Sequence, residues 1–467
     1  MADLLKKLKS WSSVWRDIAT TTSDKELPSL SADLPEDEIA QVRDQMKACL
    51  DIKGGEVSAR SRAAALGHAY LELNKTGRQR FLEILADDFA TDNAKVEQAI
   101  ADFQAAETDE EKREREIALR RSLEPPRMTL LRQFNALPDG VKFLVDLRAD
   151  LLKMSRDNSR LKIVERDLKD LLISWFDVGF LELRQLTWHS PAAILEKIAE
   201  YEAVHSIKSW NDLKNRLARD RRLFAFFHPR MPDEPLIFVE VALVNGMSDN
   251  VQELLDEEAP LLNPETADTA IFYSISNAQT GLAGISFGNF LIKKVVGALS
   301  KDLPNIKNFA TLSPIPGFQA WLDQALAKGD STLLNPKERD ALKKASGQKG
   351  AKGGLKALLE TSAWKNDPEA HDALKEPLMR LCARYLLEAK RKGTRTLDPV
   401  SHFHLSNGAR MERLNWLGDT SSKGMKQSAG MMINYLYKLN DIEKNHESYQ
   451  TNGKIVASSQ IKGLRKG

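Results

Sequence analysis

The sequence predicts an α+β protein of two domains, in which an all-helical first half precedes a mixed α/β second half with helical insertions. In the first half, apolar residues recur at helical spacing, as at Leu144, Leu147 and Leu151. In the second half, short runs rich in β-branched and aromatic residues alternate with helical patterns, which is typical of a mixed sheet. The 467 residues suffice for two or three domains, and we place them at 1–185 and 186–467.

The first half has the pattern of a helical bundle. Its helical stretches are separated by Gly54-Gly55, by Pro125-Pro126 and by the turn Leu137–Gly140, and strand-like runs are nearly absent. The stretch Thr108–Arg121 is dense in charges of both signs, which favours a solvated helix over a binding site.

The second half contains three predicted strands, at Pro235–Val244 (PLIFVEVALV), Ala270–Ser276 (AIFYSIS) and Phe309–Ser313 (FATLS). Helices are predicted at 191–201, 290–299, 318–345 and 370–392. The segment Lys343–Lys356, rich in Gly, Lys and Ala, is predicted to be a mobile surface loop. Because it is basic, contact with a phosphate is the alternative to a plain solvated loop.

The overall charge excludes broad classes of partner. Lys and Arg number 68 and Asp and Glu 66, so no whole-protein field attracts nucleic acid or an anionic membrane. The sequence has neither an apolar run of membrane-spanning length nor a signal-peptide pattern. The N-terminal stretch Met1–Trp15 is amphipathic and low in acidic residues, so a mitochondrial presequence is the alternative, but Asp3 and the run Asp17–Glu26 interrupt that pattern. We expect a cytoplasmic protein without a membrane partner. Cys49 and Cys382 are predicted to be buried thiols rather than a disulfide or a zinc site.

The segment Tyr273–Val296 (YSISNAQTGLAGISFGNFLIKKVV) places three glycines, Gly281, Gly284 and Gly288, between a predicted strand and a helix. Glycines let the backbone approach a ligand, and the unpaired N–H groups of a helix's first turn attract a pyrophosphate. The spacing fits neither G-x-G-x-x-G nor the Walker lysine pattern. It is similar to the pyrophosphate loop with which GNAT acetyltransferases hold coenzyme A. Glycines that serve only tight turn packing explain the run equally well.

Two further segments carry candidate catalytic side chains. In Thr311–Phe318 (TLSPIPGF), Ser313 ends a strand candidate and the prolines stiffen the turn behind it, although such a serine is also an ordinary turn residue. The nucleophile-elbow pattern G-x-S-x-G is absent, so a hydrolase triad is not supported.

In Asp398–Trp416 (DPVSHFHLSNGARMERLNW), His402 and His404 are predicted on one side of an extended run. No carboxylate or cysteine accompanies them at ligand spacing, so we predict no metal site there. A single histidine suits proton donation near neutral pH, and a structural histidine is the alternative. His228, just before a predicted strand, is interpreted as structural.

These segments, in this order, resemble the malonyl-CoA decarboxylase family. The combination of LSPIPGF (Leu312–Phe318) with FHLSNGA (Phe403–Ala409) is specific, whereas each motif alone is not. The resemblance extends through Phe227–Val244, Tyr273–Val296, Leu414–Trp416, Asn434–Tyr437 and Lys454–Val456.

The resemblance implies a helical domain that serves in oligomerisation, a GNAT-like catalytic domain that binds malonyl-CoA, and a homotetramer built as a dimer of dimers. It implies that Ser313 and His404 form the catalytic pair and contact the substrate. It also implies a malonyl-CoA loop of Gly281, Ala283, Gly284, Ile285, Ser286, Phe287, Gly288 and Asn289. Tyr435 and Tyr437 are possible supporting neighbours, although two tyrosines at this spacing are more often packing residues.

The implied reaction needs no cofactor beyond the coenzyme A of its substrate. Loss of CO2 from malonyl-CoA leaves a carbanion whose charge moves onto the thioester oxygen as an enolate, so neither biotin, thiamine nor metal is required. We expect His404 to protonate the α-carbon and Ser313 to orient the malonyl carboxylate or the thioester oxygen. The alternatives are a CoA-dependent acyltransferase of GNAT type and a non-catalytic CoA-binding scaffold.

Overall fold

The computed structural model describes residues 14–20, 30–51, 55–285, 290–328, 333–360, 364, 367–391 and 393–465. These residues form two compact units. The first comprises Met1–Leu181, His228–Pro232 and Gln279–Ser286, and the second comprises Glu182–Phe227, Asp233–Ala278 and Phe287–Gly467. The functional division at residue 185 stays a prediction.

The first unit is built from helices, as the leucine spacing predicted. They are α1 (14–20), α2 (Glu36–Leu50), α3 (Gly55–Glu72), α4 (Lys75–Asp87), α5 (Asn93–Ala105), α6 (Asp109–Ser122), α7 (Pro126–Asn135), α8 (Gly140–Met154) and α9 (Ser159–Trp175). Phe143 on α8 lies at the centre of the core, where the rings of Trp15 and Tyr70 contact it edge-on at 4.8 and 5.7 Å between centroids. Such edge-to-face pairs add to the free energy that burial alone supplies.

Helix α6 confirms the prediction of a solvated helix within Thr108–Arg121. Thr108 and Glu111 form a reciprocal capping box at its start, and none of its residues is buried. Acidic residues fill its first turn and arginines its last, which complements the helix dipole.

The second unit is organised by an eight-stranded sheet, which confirms the mixed α/β prediction. Its strands are β1 (Glu182–Leu186), β2 (Arg221–Phe227), β3 (Ile237–Val244), β4 (Thr269–Asn277), β5 (Asn308–Thr311), β6 (Ser313–Pro314), β7 (Arg410–Asn415) and β8 (Met432–Leu436). The hydrogen-bonded order is β1-β2-β3-β4-β5-β8-β6, with β7 paired to β8. β4 and β5 run parallel, and the other pairs are antiparallel.

Parallel strands need a crossover, and a helix supplies it here. The chain leaves β4, passes through the glycine-containing segment, and returns along α13 (Phe290–Asp302) to β5. This is the order of strand, glycine loop and helix that the sequence predicted.

The remaining helices surround the sheet or form insertions. They are α10 (Ala192–Tyr201), α11 (Trp210–Arg216), α12 (Val251–Leu254), α14 (Phe318–Ala327), α15 (Pro336–Ser346), α16 (Ala351–Glu360), α17 (Pro368–Glu388), α18 (Pro399–Ser406), α19 (Ser422–Ser428), α20 (Ile442–Asn452) and α21 (Ser459–Leu464). Helices α14 to α18 lie between β6 and β7 in the chain, which confirms the predicted helical insertions.

The prediction of a mobile loop at Lys343–Lys356 is wrong. Helix α15 runs to Ser346 and α16 begins at Ala351, because Ala, Lys and Leu are strong helix formers. Gly347 ends α15 in the left-handed conformation, with φ of 65°. A side chain at Gly354 would meet Ser346 Oγ at 2.5 Å, so this glycine lets the two helices approach closely.

Both cysteines are free and buried, which confirms the prediction of buried thiols. Burial raises the pKa of the Cys49 thiol to about 12 and that of Cys382 well above its usual range. In the described part of the chain, no helix combines the length and the apolar character needed to cross a bilayer.

Candidate active site

Ser313 begins β6, the short strand that follows β5 and pairs with β8. It is buried, and its Oγ donates a hydrogen bond to Thr311 Oγ1 at 2.8 Å. Thr311 Oγ1 also accepts the backbone N–H of Tyr435 on β8, at 3.2 Å. The threonine side chain thus substitutes for a backbone acceptor between the two strands and fixes the direction of the Ser313 hydroxyl.

His404 lies in the last turn of helix α18, so the prediction of an extended run is wrong. Asp398 caps this helix by accepting the N–H of Ser401 at 2.9 Å, and Pro399 occupies the first helical position. An Asp-Pro pair is a common helix start, because the carboxylate accepts an unpaired N–H and proline has none to lose. Two positions apart on a helix, His402 and His404 point in different directions, and His402 Nδ1 bonds Tyr449 Oη at 2.9 Å instead.

A continuous series of hydrogen bonds joins side chains from three segments. His404 Nε2 lies 3.0 Å from Ser313 Oγ, and His404 Nδ1 lies 2.8 Å from Tyr437 Oη. The ring of Tyr435 stacks on the imidazole at 4.5 Å between centroids. Because alternate residues of a strand share a face, Tyr435 and Tyr437 both reach His404 from one side. The structure therefore brings together Ser313, His404, Tyr435 and Tyr437, the four side chains that the sequence analysis named for this site.

Burial determines the charge of this site. Only 3% of His404 is exposed, and burial lowers the pKa of its imidazole from 6.5 to about 3. Burial raises the pKa of Tyr437 well above its usual range. At neutral pH the site thus contains an uncharged imidazole between two hydroxyl groups.

The site opens into a pocket of about 240 Å³ formed by the second unit. Apart from Ser313 and His404, its lining is mostly apolar and comprises Val204, Ile237, Phe272, Tyr273, Ile275, Asn277, Pro314, Pro399, Val400 and Phe403. An apolar pocket with a few convergent polar groups is the usual form of a small-molecule site, and it strengthens any hydrogen bond made inside it.

The lowered pKa of His404 predicts a pH dependence of stability. Between about pH 6.5 and pH 3 the unfolded chain binds a proton at this ring that the folded chain does not, so acid favours unfolding. Above about pH 6.5 the ring is neutral in both states, and stability is not reduced. Below that pH the free energy of unfolding falls by up to about 1.4 kcal/mol for each pH unit. We expect urea unfolding from pH 7 to pH 5 to show a steeper loss of stability in the wild type than in His404→Asn. Parallel profiles would contradict the neutral, buried ring.

The described part of the predicted glycine loop lies in the helical unit. Residues Thr280–Leu282 form a single 3-10 turn packed on α8, where a side chain at Gly281 would meet Val145 O at 1.7 Å. Arg148, paired with Glu165, donates to the carbonyls of Gly281 and Ala283. Close packing therefore accounts for Gly281.

The hydrogen bonds of this turn also limit which of its N–H groups can hold a phosphate. The N–H groups of Leu282, Ala283 and Ile285 donate to carbonyls within the turn. Gly284 takes the left-handed conformation, with φ of 73°. The remaining predicted loop residues, Ser286, Phe287, Gly288 and Asn289, lie outside the described residues. A phosphate-binding role for the segment stays a prediction.

The contacts of His228 agree with its interpretation as a structural residue. His228 is buried, with Nε2 3.1 Å from Trp175 O and Nδ1 accepting the N–H of Arg230, as suits a structural residue. Within the described ranges, no three His, Cys, Asp or Glu side chains cluster closely enough to hold a metal ion.

Sequence reasoning missed Thr311, which bonds Ser313 directly, and Asp398, which caps the helix that carries His404. The Asp398-Pro399 pair was a usable signal, because it predicts a helix start and so places His404 on a helix. Thr311 carried no signal of its own, since its function depends on a pairing between distant strands.

Comparison with known proteins matches the chain to one family over most of its length. The profile of the malonyl-CoA decarboxylase C-terminal domain matches residues 179–467, and that of the N-terminal domain matches 89–176. The mitochondrial malonyl-CoA decarboxylase of Anser anser anser is 41% identical over 400 residues, 82% of this chain and 79% of the goose protein. The rat enzyme is 38% identical over 456 residues, 94% of this chain and 88% of its own.

Solved structures agree with the sequence matches. The crystal structure of malonyl-CoA decarboxylase from Rhodopseudomonas palustris superposes with a TM-score of 0.83 at 44% identity, covering 92% of this chain and 99% of that one. Its counterpart from Agrobacterium vitis gives 0.82 at 42% identity, with 91% and 99% covered. Over both of its halves, this chain belongs to the malonyl-CoA decarboxylase family.

Proposed function

We propose that this protein is an enzyme that converts malonyl-CoA to acetyl-CoA and CO2. The observation that carries the proposal is the hydrogen-bonded series Tyr437–His404–Ser313–Thr311, which faces a mostly apolar pocket in a chain of this family. A hydroxyl and a neutral imidazole at such a site can orient a carboxylate or a thioester and can donate a proton.

The reaction requires one carbon–carbon bond to break and one proton to be supplied. The electron pair of the bond to the carboxylate moves into the thioester as an enolate, and CO2 departs. His404 then donates its Nε2 proton to the α-carbon, which completes acetyl-CoA. A thioester enolate is a stronger base than imidazolate, the anion left when a neutral imidazole loses its proton, so even an uncharged ring can protonate it. Water later restores the proton to the enzyme.

Tyr437 determines which nitrogen of His404 carries the proton. A phenol that donates its O–H to Nδ1 leaves the neutral ring protonated at Nε2, the nitrogen that faces Ser313. When Nε2 gives up its proton, the Tyr437 hydroxyl can pass its own to Nδ1, so the ring never carries a full negative charge. The buried tyrosinate that results is unfavourable and lasts only until water returns a proton to Tyr437.

Ser313 is assigned to hold the substrate rather than to attack it. Its oxygen has a fixed position, because Thr311 Oγ1 accepts its proton and His404 Nε2 lies on its other side. When substrate binds, the hydroxyl turns this single proton from Thr311 to a substrate oxygen. A donor held in place in a dry pocket stabilises charge that develops on an oxygen without reorganising during the reaction. That oxygen belongs to the malonyl carboxylate or to the thioester.

The test is to incubate the purified full-length protein with malonyl-CoA and a chelator, without any acyl acceptor. We expect acetyl-CoA and CO2 to appear in equal amounts. Turnover only after an amine is added would replace the proposal with acyl transfer. Retention of coenzyme A with unchanged malonyl-CoA would replace it with a binding scaffold.

Three further expectations accompany this proposal, two from the resemblance and one, the location, from the sequence pattern. We propose that the enzyme needs no biotin, thiamine or metal, because the thioester accepts the electron pair itself. We also propose a homotetramer and a cytoplasmic location, which light scattering and fractionation would test.

A further inference from the structure

A single carboxylate connects the two segments that carry the proposed catalytic pair. Asp398 is 1% exposed and stands six residues before His404, at the start of α18. One of its oxygens, Oδ1, accepts the N–H of Ser401 and so caps the helix. This contact alone would make Asp398 an ordinary N-cap.

The second oxygen reaches out of the helix. Asp398 Oδ2 accepts the backbone N–H of Gly317 at 3.3 Å and the hydroxyl of Tyr385 at 3.2 Å. Gly317 ends the proline-stiffened turn that begins at Ser313 and leads into α14, and Tyr385 lies on α17 of the helical insertion. The carboxylate thus joins the turn that follows Ser313 to the helices α18 and α17.

The fit around Gly317 shows how closely these segments meet. A side chain built at Gly317 would place Cβ 2.1 Å from Tyr385 Oη and 3.4 Å from Asp398 Oδ2. The backbone of Gly317 has an ordinary φ of −93°, so close approach, and not backbone conformation, excludes a side chain. The tyrosine hydroxyl occupies the space that a side chain would need.

We propose that Asp398 is a positioning residue that holds Ser313 Oγ and His404 Nε2 at their separation of 3.0 Å. The assignment rests on the proposed function. Ser313 and His404 are 91 residues apart, and Asp398 ties the backbone behind one to the helix that carries the other. A displacement of about 1 Å between reacting groups lowers turnover severely.

The first test replaces Asp398 with asparagine in the full-length protein. Asn has one acceptor oxygen, so it can cap Ser401 but then turns an N–H2 group towards Gly317. We expect kcat to fall about 10-fold or more, with KM for malonyl-CoA changed by no more than about 3-fold. Asp367→Asn is the matched control, because among the described residues Asp367 accepts only N–H groups of its own helix α17, and it should leave kcat unchanged.

A second pair of variants tests the same bridge by rescue. We expect Gly317→Ala to lower kcat, because its Cβ collides with Tyr385 Oη. We expect Tyr385→Phe in the same chain to restore part of the loss by removing that oxygen. Failure of the double variant to recover any activity, at wild-type thermal stability, would overturn the proposal.

Nitrogen chemical shifts of His404 give a readout that does not depend on turnover. The ¹⁵N resonances, assigned by their loss in His404→Asn, should move in Asp398→Asn and stay in place in Asp367→Asn. Unmoved resonances with wild-type kcat, or a loss of kcat only in proportion to unfolded protein, would refute the positioning role. If the wild type releases no CO2, the proposed function fails, and the resonances alone decide whether Asp398 sets the geometry.

Discussion

The substitution His404→Asn is expected to lower kcat for CO2 release from malonyl-CoA by about 10²-fold or more, the range of general-acid effects. Asparagine fits the space but has no proton that it can give up to carbon. Only 3% of His404 is exposed, and Ser313 and Tyr437 occupy its two ring nitrogens, so the proton on Nε2 is held at the wall of the pocket. Initial rates of acetyl-CoA formation measure the effect.

The same helix offers a matched control. His402 bonds a tyrosine hydroxyl through Nδ1 as His404 does, yet it does not line the pocket. His402→Asn should therefore keep near-normal turnover. The companion change Tyr437→Phe should give a smaller loss than His404→Asn, because the imidazole stays and loses only the hydroxyl that selects its tautomer. Tyr449→Phe, which removes the hydroxyl beside His402, should have little effect. Near-normal turnover in His404→Asn would remove the histidine from the mechanism.

Ser313→Ala is expected to lower kcat by about 10²-fold, the lower end of the effect of removing a positioned donor to a developing oxyanion. Coenzyme A binding should stay nearly intact, because most of that molecule lies far from the malonyl group. Inhibition by coenzyme A and KM for malonyl-CoA separate the two effects. The alanine also leaves Thr311 and His404 facing each other without the hydroxyl that joins them.

The control for Ser313→Ala is another buried serine. Ser428 is 2% exposed and donates to the carbonyl of Met431 at 2.7 Å, away from the pocket lining. Ser428→Ala should retain kcat even if it unfolds at a lower temperature. If Ser313→Ala instead loses its fold and not its turnover, Ser313 is only a turn residue.

The longest strands that the sequence predicted, β3 and β4, are buried along nearly their whole length. They therefore appear as continuous apolar runs. The sequence did not predict β1, β2, β7 or β8. Polar residues interrupt the apolar pattern in β1, β2 and β7, whereas β8 is wholly buried but only five residues long. In β7, Arg410 and Glu412 pair with each other on one face, a pattern that hydrophobicity does not detect.

The candidate site was predictable only in part. Ser313 and His404 came from the family resemblance, since neither stands out by spacing or composition. The contacts between them depend on β8 pairing with β5 and β6, and on a helical insertion that returns α18 to the sheet. Asp398 and Thr311 act through backbone groups of distant segments, and a pattern along one chain does not show which N–H a side chain will meet.

The turn at Gly281 has a consequence for dividing the protein into modules. It is encoded between two elements of the sheet domain, yet its carbonyls are held by Arg148 and its backbone lies against Val145, both on α8. The segment His228–Pro232 is likewise encoded among the strands and grouped with the helices. The two halves are therefore not exchangeable units of sequence. In a chimera joined near residue 185, these two segments would come from one parent and the helices on which they pack from the other. A transplant of the helical half would therefore have to include both segments.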